Sequence, residues 1–514
     1  MSEKNTEPPL LIGLDVGTGS VRALVFDARY NEVARAAVPT PSLKRANGQV
    51  DYEPEALWQA AATTLSQVVA AAPAGAPIAG IAVASVGESA VPIDANGRPT
   101  HNAIAWFDGR AAAEARHMRE QLGEQRIFEI TGMRAEPEYG LCKLLWLRAN
   151  APEAFAATVR WLNIADWIAF RLSGEAATDY SLASRTLALD LGRREWSEEI
   201  LAAVDIEPSM LAPLTASGVA IGTVRRDVAA ELGLPPGVAV GTGGHDHVCG
   251  AIAAGAVRPG TLLDSMGTAE ALYLPTGAPQ FDPLVLSRGY GQGAVAIKDP
   301  FFYLMGGMYF SGGAIEWFRR TFAEGAAHAT LITEAEAHPP GSGGLCFTPH
   351  LRRSAMPNPD ARARGAFLGL TADANRGALF RALLEGLACE ARLGLEGMLS
   401  LPGAAPVQDI RVIGGNVQNE LLLKIKASLY GRPLILPAHQ EGTSVGAAVL
   451  AGLAAGVFGS LEAALAPLAA ARQTVEPDPA WTEVYDDLFD GVYRTSFAAL
   501  QPLNHALADF AARR

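Results

Sequence analysis

Two short segments about 250 residues apart share one pattern: an apolar run, a Gly-Thr turn and a second apolar run. The first has Gly17 and Thr18 at its turn, and the second has Gly267 and Thr268. Each segment has the alternation of apolar run and glycine turn that is typical of a β-hairpin. A repeated hairpin predicts two similar domains that face one nucleotide from opposite sides.

The first turn, Gly17-Thr18-Gly19-Ser20, has the chemistry of a phosphate site. Glycines let backbone N–H groups approach an anion, and the two hydroxyls add donors. Asp15, at the end of the first strand, could hold a magnesium ion directly or through water. An ordinary hairpin with a strand-end acid is the alternative. A Rossmann site is disfavoured, because the Gly-x-Gly-x-x-Gly spacing is absent and a strand follows the turn.

Length and composition set the class of protein. A chain of 514 residues predicts two domains of roughly 200 to 250 residues. It is 49% apolar and 18% charged, so it can bury large cores. A net charge of -13 and a pI near 5.3 argue against a nucleic-acid-binding surface.

Compartment and membrane contact are also constrained. Four widely separated cysteines without a CxxC pair indicate thiols in a reducing cytosol. Residues Met1–Pro9 show no secretion signal. The apolar run Val445–Gly459, about 15 residues, is shorter than the roughly 20 that span a bilayer. We therefore expect a cytoplasmic protein with no membrane segment, in which that run is a buried helix.

The candidate catalytic residue is Asp246, between two histidines in the small-residue run Gly241–His247. A strand over Val238–Gly243 and a helix over Val248–Val257 would place this carboxylate at a helix N-terminus, where negative charge is favoured. His245 and His247 could bind a metal, but no third ligand follows at a suitable spacing. We prefer the interpretation that they shape the pocket or form local hydrogen bonds.

Polar residues at two further strand ends are candidates for binding a small polyhydroxyl molecule. Glu88 and Ser89 follow the predicted strand Ile78–Ser85, and Trp106 and Asp108 follow another apolar stretch. Ligands in α/β folds usually lie at such strand ends. Each residue taken singly is also compatible with a surface acid or a packed aromatic.

The second half contains glycine turns suited to a nucleotide. Gly312 and Gly313 open a predicted helix, while Gly414-Gly415-Asn416 ends a strand before a helix from about Asn419 to Leu429. A base or ribose could pass close over such glycines. Ser444 is a candidate cap for the small-residue helix that follows.

These segments, in this order, resemble the FGGY family of carbohydrate kinases from Leu10 to about Phe458. The matching stretches are GLDVGTGSVRALVFD, AIAWFDGR, TDYSLASRT, GGHDH, GTAEA, RGAFLGL, IGGNVQN and EGTSVGAAVLAG. The resemblance implies an α/β fold of two actin-like (ribonuclease H-like) domains with a nucleotide cleft between them. It also implies ATP, Mg²⁺ and transfer of the γ-phosphoryl group to a hydroxyl of a sugar or polyol.

By position, the resemblance makes Asp246 the catalytic base and Asp15 the magnesium-site residue. The expected acceptor-binding residues are Glu88, Ser89, Trp106, Asp108, His245 and Asp246. The expected ATP-binding residues are Gly17, Thr18, Gly19, Ser20, Arg22, Gly267, Thr268, Gly312, Gly313, Gly414, Gly415, Asn416 and Asn419. Two departures stand out: Asn416 replaces the third glycine of the adenosine stretch, and Gly87-Glu88-Ser89 lacks the Gln-Met-His of xylulokinase-like members. The glutamate is similar to the glycerol-kinase side of the family.

We therefore expect a carbohydrate kinase with a first domain over residues 1–257, a second over 258–475 and a helical tail over 476–514. Its acceptor is a pentulose, ketose or alditol. The alternative is an actin-like ATPase or ATP-regulated binding protein without a small acceptor. The oligomeric state is left open, with a homodimer as the candidate.

Overall fold

The computed structural model describes residues 9–297, 299–439 and 441–513. The first eight residues, where the sequence shows no secretion signal, lie outside this description. The strands of the first half are β1 Leu10–Val16, β2 Ser20–Phe26, β3 Glu32–Pro39, β4 Leu43–Lys44, β5 Val50–Tyr52, β6 Ile78–Ser85, β7 Ala90–Ile93, β8 Ala103–Ile104, β9 Arg160–Asn163, β10 Thr178–Asp179, β11 Leu189–Asp190, β12 Glu195–Trp196, β13 Leu214–Thr215, β14 Ala220–Thr223 and β15 Ala239–His245. Those of the second half are β16 Thr261–Met266, β17 Glu270–Thr276, β18 Gly291–Ile297, β19 Asp299–Met308, β20 Cys346–Thr348, β21 Ala366–Leu368, β22 Asp409–Ile413, β23 Leu434–Pro437 and β24 Ala471–Val475.

Helices cover both halves. Those of the first half are α1 Pro54–Ala71, α2 Ala112–Leu122, α3 Glu124–Thr131, α4 Gly140–Asn150, α5 Pro152–Ala157, α6 Ile164–Ser173, α7 Tyr180–Ala183, α8 Glu198–Ala203, α9 Arg226–Leu232 and α10 Asp246–Ala253. Those of the second half are α11 Pro283–Ser287, α12 Gly312–Phe322, α13 His328–Glu336, α14 Arg376–Leu399, α15 Glu420–Tyr430, α16 Gly442–Ala454, α17 Leu461–Leu465, α18 Pro479–Leu488 and α19 Arg494–Ala512.

The first half is built on a six-stranded sheet with the order β14-β15-β6-β1-β2-β3. The predicted hairpin of β1 and β2 and the predicted strand β6 are confirmed. Strands β15, β6 and β1 run parallel, and the register pairs Asp15 with Ala84 and His245 with Ser85. The carboxyl ends of these three strands therefore meet at one edge of the sheet.

The second half is built on a seven-stranded sheet with the order β18-β19-β17-β16-β22-β23-β24. The predicted second hairpin, β16 with β17, is confirmed. Strand β22 runs parallel to β16 and ends beside the hairpin turn. Each half thus presents a glycine turn at the end of a central strand.

Helix α16 belongs to the second half of the chain but packs across β1, β6 and β15 of the first sheet. Its backbone approaches β1 so closely that a Cβ at Gly13 would lie 1.9 Å from the carbonyl oxygen of Ser444. Only a glycine strand position and a small-residue helix allow this contact. The expectation of a buried helix is confirmed, although α16 ends at Ala454.

The predicted cap at Ser444 is wrong, because α16 begins at Gly442 and Ser444 lies inside its first turn. The Ser444 hydroxyl is buried without a hydrogen-bond partner in the described chain. Among residues 9–297, 299–439 and 441–513, no helix has both the length and the apolar composition to cross a membrane.

The C-terminal helices α18 and α19 are joined by the π-helical turn Phe489–Tyr493. Their inner face, with Tyr485, Phe489 and Tyr493, is part of the hydrophobic core of the second half. Tyr485 donates a hydrogen bond to Glu385 of α14 at 2.9 Å. The predicted helical tail therefore packs on the second half as an integral layer.

Candidate active site

Asp246 is the first residue of α10 and follows directly on β15. The strand runs two residues beyond its predicted end, because His245 keeps its register with β6 and its N–H donates to the Ser181 hydroxyl at 2.9 Å. The helix accordingly starts two residues earlier than predicted. Asp246 thus stands on a fixed junction between two rigid elements.

One carboxylate oxygen of Asp246 is occupied within the protein. Oδ1 accepts the N–H of His247 at 2.7 Å and lies 3.2 Å from Nε2 of His245. The side chain is 24% exposed. Burial raises the pKa of Asp246 above its ordinary value. A partly exposed carboxylate with increased proton affinity is suited to accept a proton from a bound hydroxyl.

Asp15 and the first glycine turn lie at the same edge of the sheet as Asp246. Arg22 pairs with Asp15 at 3.1 Å and with Glu441 at 2.8 Å. The other oxygen of Asp15, Oδ1, is buried without a protein partner in the described chain. Burial raises the pKa of Asp15 to about 7, against the opposing charge of Arg22. A buried carboxylate oxygen without a partner is costly, and a bound cation would satisfy it.

The turn itself is anchored from two sides. The hydroxyl of Thr40 donates to the carbonyl of Gly17 at 2.7 Å, and the N–H of Gly17 donates to the carbonyl of Ser20 at 3.1 Å. Thr18 and Gly19 are exposed at its tip. Arg22 bridges two carboxylates at the base of the turn, and its binding of ATP stays a prediction.

The predicted acceptor residues divide into two groups. Glu88 is buried and pairs with Arg185, whose guanidinium lies 5.2 Å from the ring centre of Tyr139. Trp106 donates from Nε1 to the Thr18 hydroxyl at 2.9 Å. This contact joins the acceptor side directly to the phosphate turn.

Asp108 and Ser89 are placed differently. Both oxygens of Asp108 are bonded inside the protein, to the N–H of Val50 at 2.7 Å and to Arg110 at 2.7 and 2.9 Å. The Ser89 hydroxyl is fully buried without a partner in the described chain. Asp108 thus holds the edge of β5, and acceptor binding by either residue stays a prediction.

The second glycine turn borders a cavity of about 520 Å³. The N–H of Gly312 donates to the carbonyl of Gly267 at 3.0 Å, that of Gly313 to the carbonyl of Thr268 at 3.1 Å, and Nδ2 of Asn416 to Gly267 at 3.0 Å. The cavity is lined by Gly267, Thr268, Gly312, Ile315, Glu316, His328, Ile332, Gly415, Asn416, Gln418 and Asn419. Six of the residues expected to bind ATP therefore share one cavity.

Gly414 precedes the lining residue Gly415, and Asn419 is itself part of the lining. Gly414 has a φ of +101°, and a Cβ there would lie 2.6 Å from the carbonyl of Met266, so β22 can turn beside β16 only with glycine. The side chain of Asn419 caps α15 by accepting the N–H of Leu422 at 3.0 Å.

The chain matches the FGGY family of carbohydrate kinases over both domains: residues 10–253 match the N-terminal domain and residues 262–455 the C-terminal domain. The chain belongs to this family. It is 30% identical to a xylulose kinase of Bacillus subtilis, over 97% of the chain and 99% of that protein. It is 31% identical to a glycerol kinase of Citrifermentans bemidjiense, over 87% of the chain and 90% of that protein.

Solved structures show the same architecture. A xylulose kinase from Rhodospirillum rubrum is 28% identical and superposes with a TM-score of 0.88, covering 96% of the chain and 100% of that protein. The predicted family, the two-domain actin-like fold and the activity of an ATP-dependent sugar or polyol kinase are confirmed. The alternative of an actin-like ATPase without a small acceptor finds no support among these relatives.

Three residues that contact the predicted acceptor residues of this FGGY kinase were not predicted from the sequence: Tyr139, Lys143 and Arg185. Arg185 lies in the stretch TDYSLASRT, and its surroundings of small and apolar residues were a usable signal. Tyr139 and Lys143 are one helical turn apart at the start of α4, where no pattern separates a packed residue from a site residue. Only the hydrogen bonds of Lys143 with the segments that follow β6 and β8, and the contact of Tyr139 with Arg185, reveal them.

Metal binding by side chains alone is not indicated. Within the described ranges, no group of three or more His, Cys, Asp or Glu side chains is arranged to hold a metal ion. Magnesium in phosphoryl-transfer sites is bound through one or two carboxylates and the substrate phosphates, so the surroundings of Asp15 fit it.

Proposed function

We propose that this kinase phosphorylates a neutral ketose or polyol, with xylulose as the first acceptor to test and glycerol as the second. The observation that carries the proposal is the buried Glu88–Arg185 pair beside Asp246. Glu88 offers acceptors and Arg185 offers donors, the complement of a polyhydroxyl chain. Two of the matched xylulose kinases cover 97% of the chain, and one of the matched glycerol kinases covers 90%.

A neutral acceptor is favoured over a sugar acid on electrostatic grounds. Arg185 already has a counter-charge in Glu88, and two further carboxylates, Asp15 and Asp246, lie at the same strand ends. A substrate carboxylate would enter a site with excess negative charge. Its repulsion and desolvation would cost affinity.

We infer that Asp246 takes the proton of the attacking hydroxyl. Its Oδ1 is held by the N–H of His247, so the other oxygen is free to face the acceptor. Phosphoryl transfer has a loose transition state, so most of the catalysis is positioning and charge stabilisation. The raised pKa of Asp246, caused by burial, suits it to proton transfer late in the reaction.

ATP would lie between the two glycine turns, with its adenosine in the cavity beside Asn416 and its phosphates between Thr18 and Thr268. Mg²⁺ would be held through Asp15 and would supply charge neutralisation at the phosphates. The unpaired Oδ1 of Asp15 and its pKa near 7 support this assignment. Arg22 orients Asp15 from the opposite side.

The decisive experiment is ADP release with MgATP and a panel of acceptors: xylulose, ribulose, glycerol, erythritol and gluconate. We expect a neutral acceptor to give a kcat/KM at least about tenfold above that of gluconate. A tenfold ratio corresponds to about 1.4 kcal/mol of charge repulsion against the carboxylate of gluconate. Preference for gluconate would overturn the neutral-acceptor assignment. ADP release at the same rate with and without every acceptor would overturn the kinase mechanism proposed for Asp246.

A cytoplasmic location and a homodimer are further proposals. The four cysteines are free and buried, which is compatible with a reducing compartment. Sedimentation velocity of the purified chain tests the oligomeric state, and a single species at the monomer mass would exclude the dimer.

A further inference from the structure

Lys143 is a fully buried lysine whose three donors are all used on backbone carbonyls. Its Nζ donates to the carbonyl oxygens of Glu88 at 3.0 Å, Ala105 at 2.9 Å and Trp106 at 3.3 Å. The side chain is 0% exposed. An ammonium group has three donors and no acceptor, so three carbonyls satisfy it completely.

The three carbonyls belong to the two segments of the proposed acceptor site. Glu88 has a φ of +58°, in the left-handed region that residues other than glycine rarely adopt. Such a conformation persists only where surrounding contacts hold it. The bond from Lys143 to the carbonyl of Glu88 is one such contact, and it fixes the direction in which the carboxylate of Glu88 reaches Arg185.

The second segment carries the link to the phosphate turn. Lys143 holds the carbonyls of Ala105 and Trp106, and the indole of Trp106 donates to the Thr18 hydroxyl. One ammonium group therefore joins two segments: the loop after β6 with Glu88 (the Glu88 segment) and the loop after β8 with Ala105 and Trp106 (the Trp106 segment). Through Trp106 it is also linked to the first phosphate turn.

The residue that precedes α4 contributes a second contact. Tyr139 is the N-cap of α4, and its carbonyl oxygen accepts the N–H of Lys143 at 3.3 Å. Its ring lies under the guanidinium of Arg185 at 5.2 Å from the ring centre. The start of α4 thus packs against both the backbone and the side chains of the acceptor site.

We propose that Lys143 is a positioning residue for acceptor recognition, which clamps the Glu88 and Trp106 segments in the geometry that binds the sugar or polyol. The inference rests on the proposed acceptor site. Lys143 acts through the backbone of both segments and has no free donor for the substrate itself.

Electrostatics makes the clamp dependent on the protonation of Lys143. Burial lowers the pKa of Lys143 to about 8, against the opposing effect of the carboxylates of Glu88, Glu138 and Asp108. A neutral amine has two donors for three carbonyls, so one carbonyl loses its partner above that pH.

Two variants of nearly equal size test the clamp: Lys143→Met removes every donor, and Lys143→Gln keeps two. We expect Lys143→Met to raise the KM for the acceptor at least about tenfold, with the dissociation constant of ATP changed less than about twofold. Lys143→Gln should give an intermediate KM. Lys426 is a second fully buried lysine, and it pairs with Asp264 and Glu270 on the strands of the second hairpin. Lys426→Met should therefore change ATP binding and leave the acceptor KM within about threefold.

An acceptor KM within about twofold of the wild-type value in Lys143→Met would overturn the proposal. So would equal loss of acceptor and ATP affinity in both Lys143 variants, the mark of a purely structural role. If Lys143→Met does not fold, the pH dependence of the wild-type enzyme tests the clamp. The acceptor KM should rise above pH 8 while the affinity for ATP stays constant. An acceptor KM that does not change with pH would refute the clamp.

Glu88→Gln separates this inference from the proposed function. If Glu88→Gln leaves the acceptor KM unchanged, the acceptor site is placed wrongly and the clamp fails with it. If Glu88→Gln raises the acceptor KM while Lys143→Met does not, only the clamp fails.

Discussion

Replacing Asp246 by Asn isolates the proposed proton transfer from every other feature of the site. Asn has the same shape, and its amide oxygen can keep the 2.7 Å hydrogen bond from the N–H of His247. The change converts the free carboxylate oxygen, which can take a proton, into an amide nitrogen, which cannot. The start of α10 and the contact with β15 should therefore be retained.

The expected loss follows from the role of the base. A positioned general base contributes about 10² to 10⁴ in rate, or roughly 2.7 to 5.4 kcal/mol of transition-state stabilisation. Because the transition state of phosphoryl transfer is loose, we expect a loss of at least about 10² in kcat. The second turn and the adenosine cavity lie on the other half of the chain, so the dissociation constant of ATP should stay within about twofold of the wild-type value.

Stability serves as an internal check. The pKa of Asp246 is raised in the folded state, so its ionisation above the unfolded pKa costs stability. Asp246→Asn removes that cost, and its melting temperature near pH 7.5 should be no lower than that of the wild type. A rate loss could then not be attributed to unfolding.

The assay is ADP release at saturating ATP and acceptor, with ATP affinity measured by calorimetry. Glu198→Gln is the matched control, since it removes an exposed carboxylate at the first residue of α8. It should retain the wild-type kcat. A loss of less than about tenfold in Asp246→Asn would refute the assignment of Asp246 as the base.

Three further variants probe the rest of the site and its support. Asp15→Asn should raise the Mg²⁺ concentration for half-maximal activity about 10- to 100-fold, measured by Mg²⁺ titration after chelation, while an unchanged value would remove Asp15 from the metal site. Lys426→Met leaves two buried carboxylates, Asp264 at 2.5 Å and Glu270 at 2.6 Å, without their cation, so chemical denaturation should show a loss of about 3 to 5 kcal/mol; a loss below about 1 kcal/mol would contradict this. Burial raises the pKa of Asp166 from 3.8 to about 8, so between these values the folded state binds more protons and wild-type stability falls as pH rises. The melting temperature of Asp166→Asn should therefore gain on that of the wild type from pH 5 to pH 8, and a constant difference would contradict the shift.

The sequence was sufficient to predict those elements whose conformation depends on residues close together in the chain. The hairpin turns at Gly17 and Gly267 were predictable, because glycine between two apolar runs leaves few conformations other than a tight turn. The predicted ends of strand β6 and helix α15 lie within one residue of the observed ends, because their residue patterns are likewise local. The cap predicted at Ser444 failed, since α16 starts where it can pack against Gly13, a residue more than 400 positions away.

The sequence by itself determined that this chain has two hairpin-bearing halves, a carboxylate at a strand-to-helix junction and the family to which it belongs. Those properties depend on residues adjacent in the chain, whose preferences are local. Tertiary structure alone decided that Asp108 accepts the N–H of Val50, that Glu88 is paired with Arg185 and that Lys143 joins two distant segments. Each of these depends on which side chains meet after folding, because a buried charge takes the partners that surround it in space, whatever their separation along the chain.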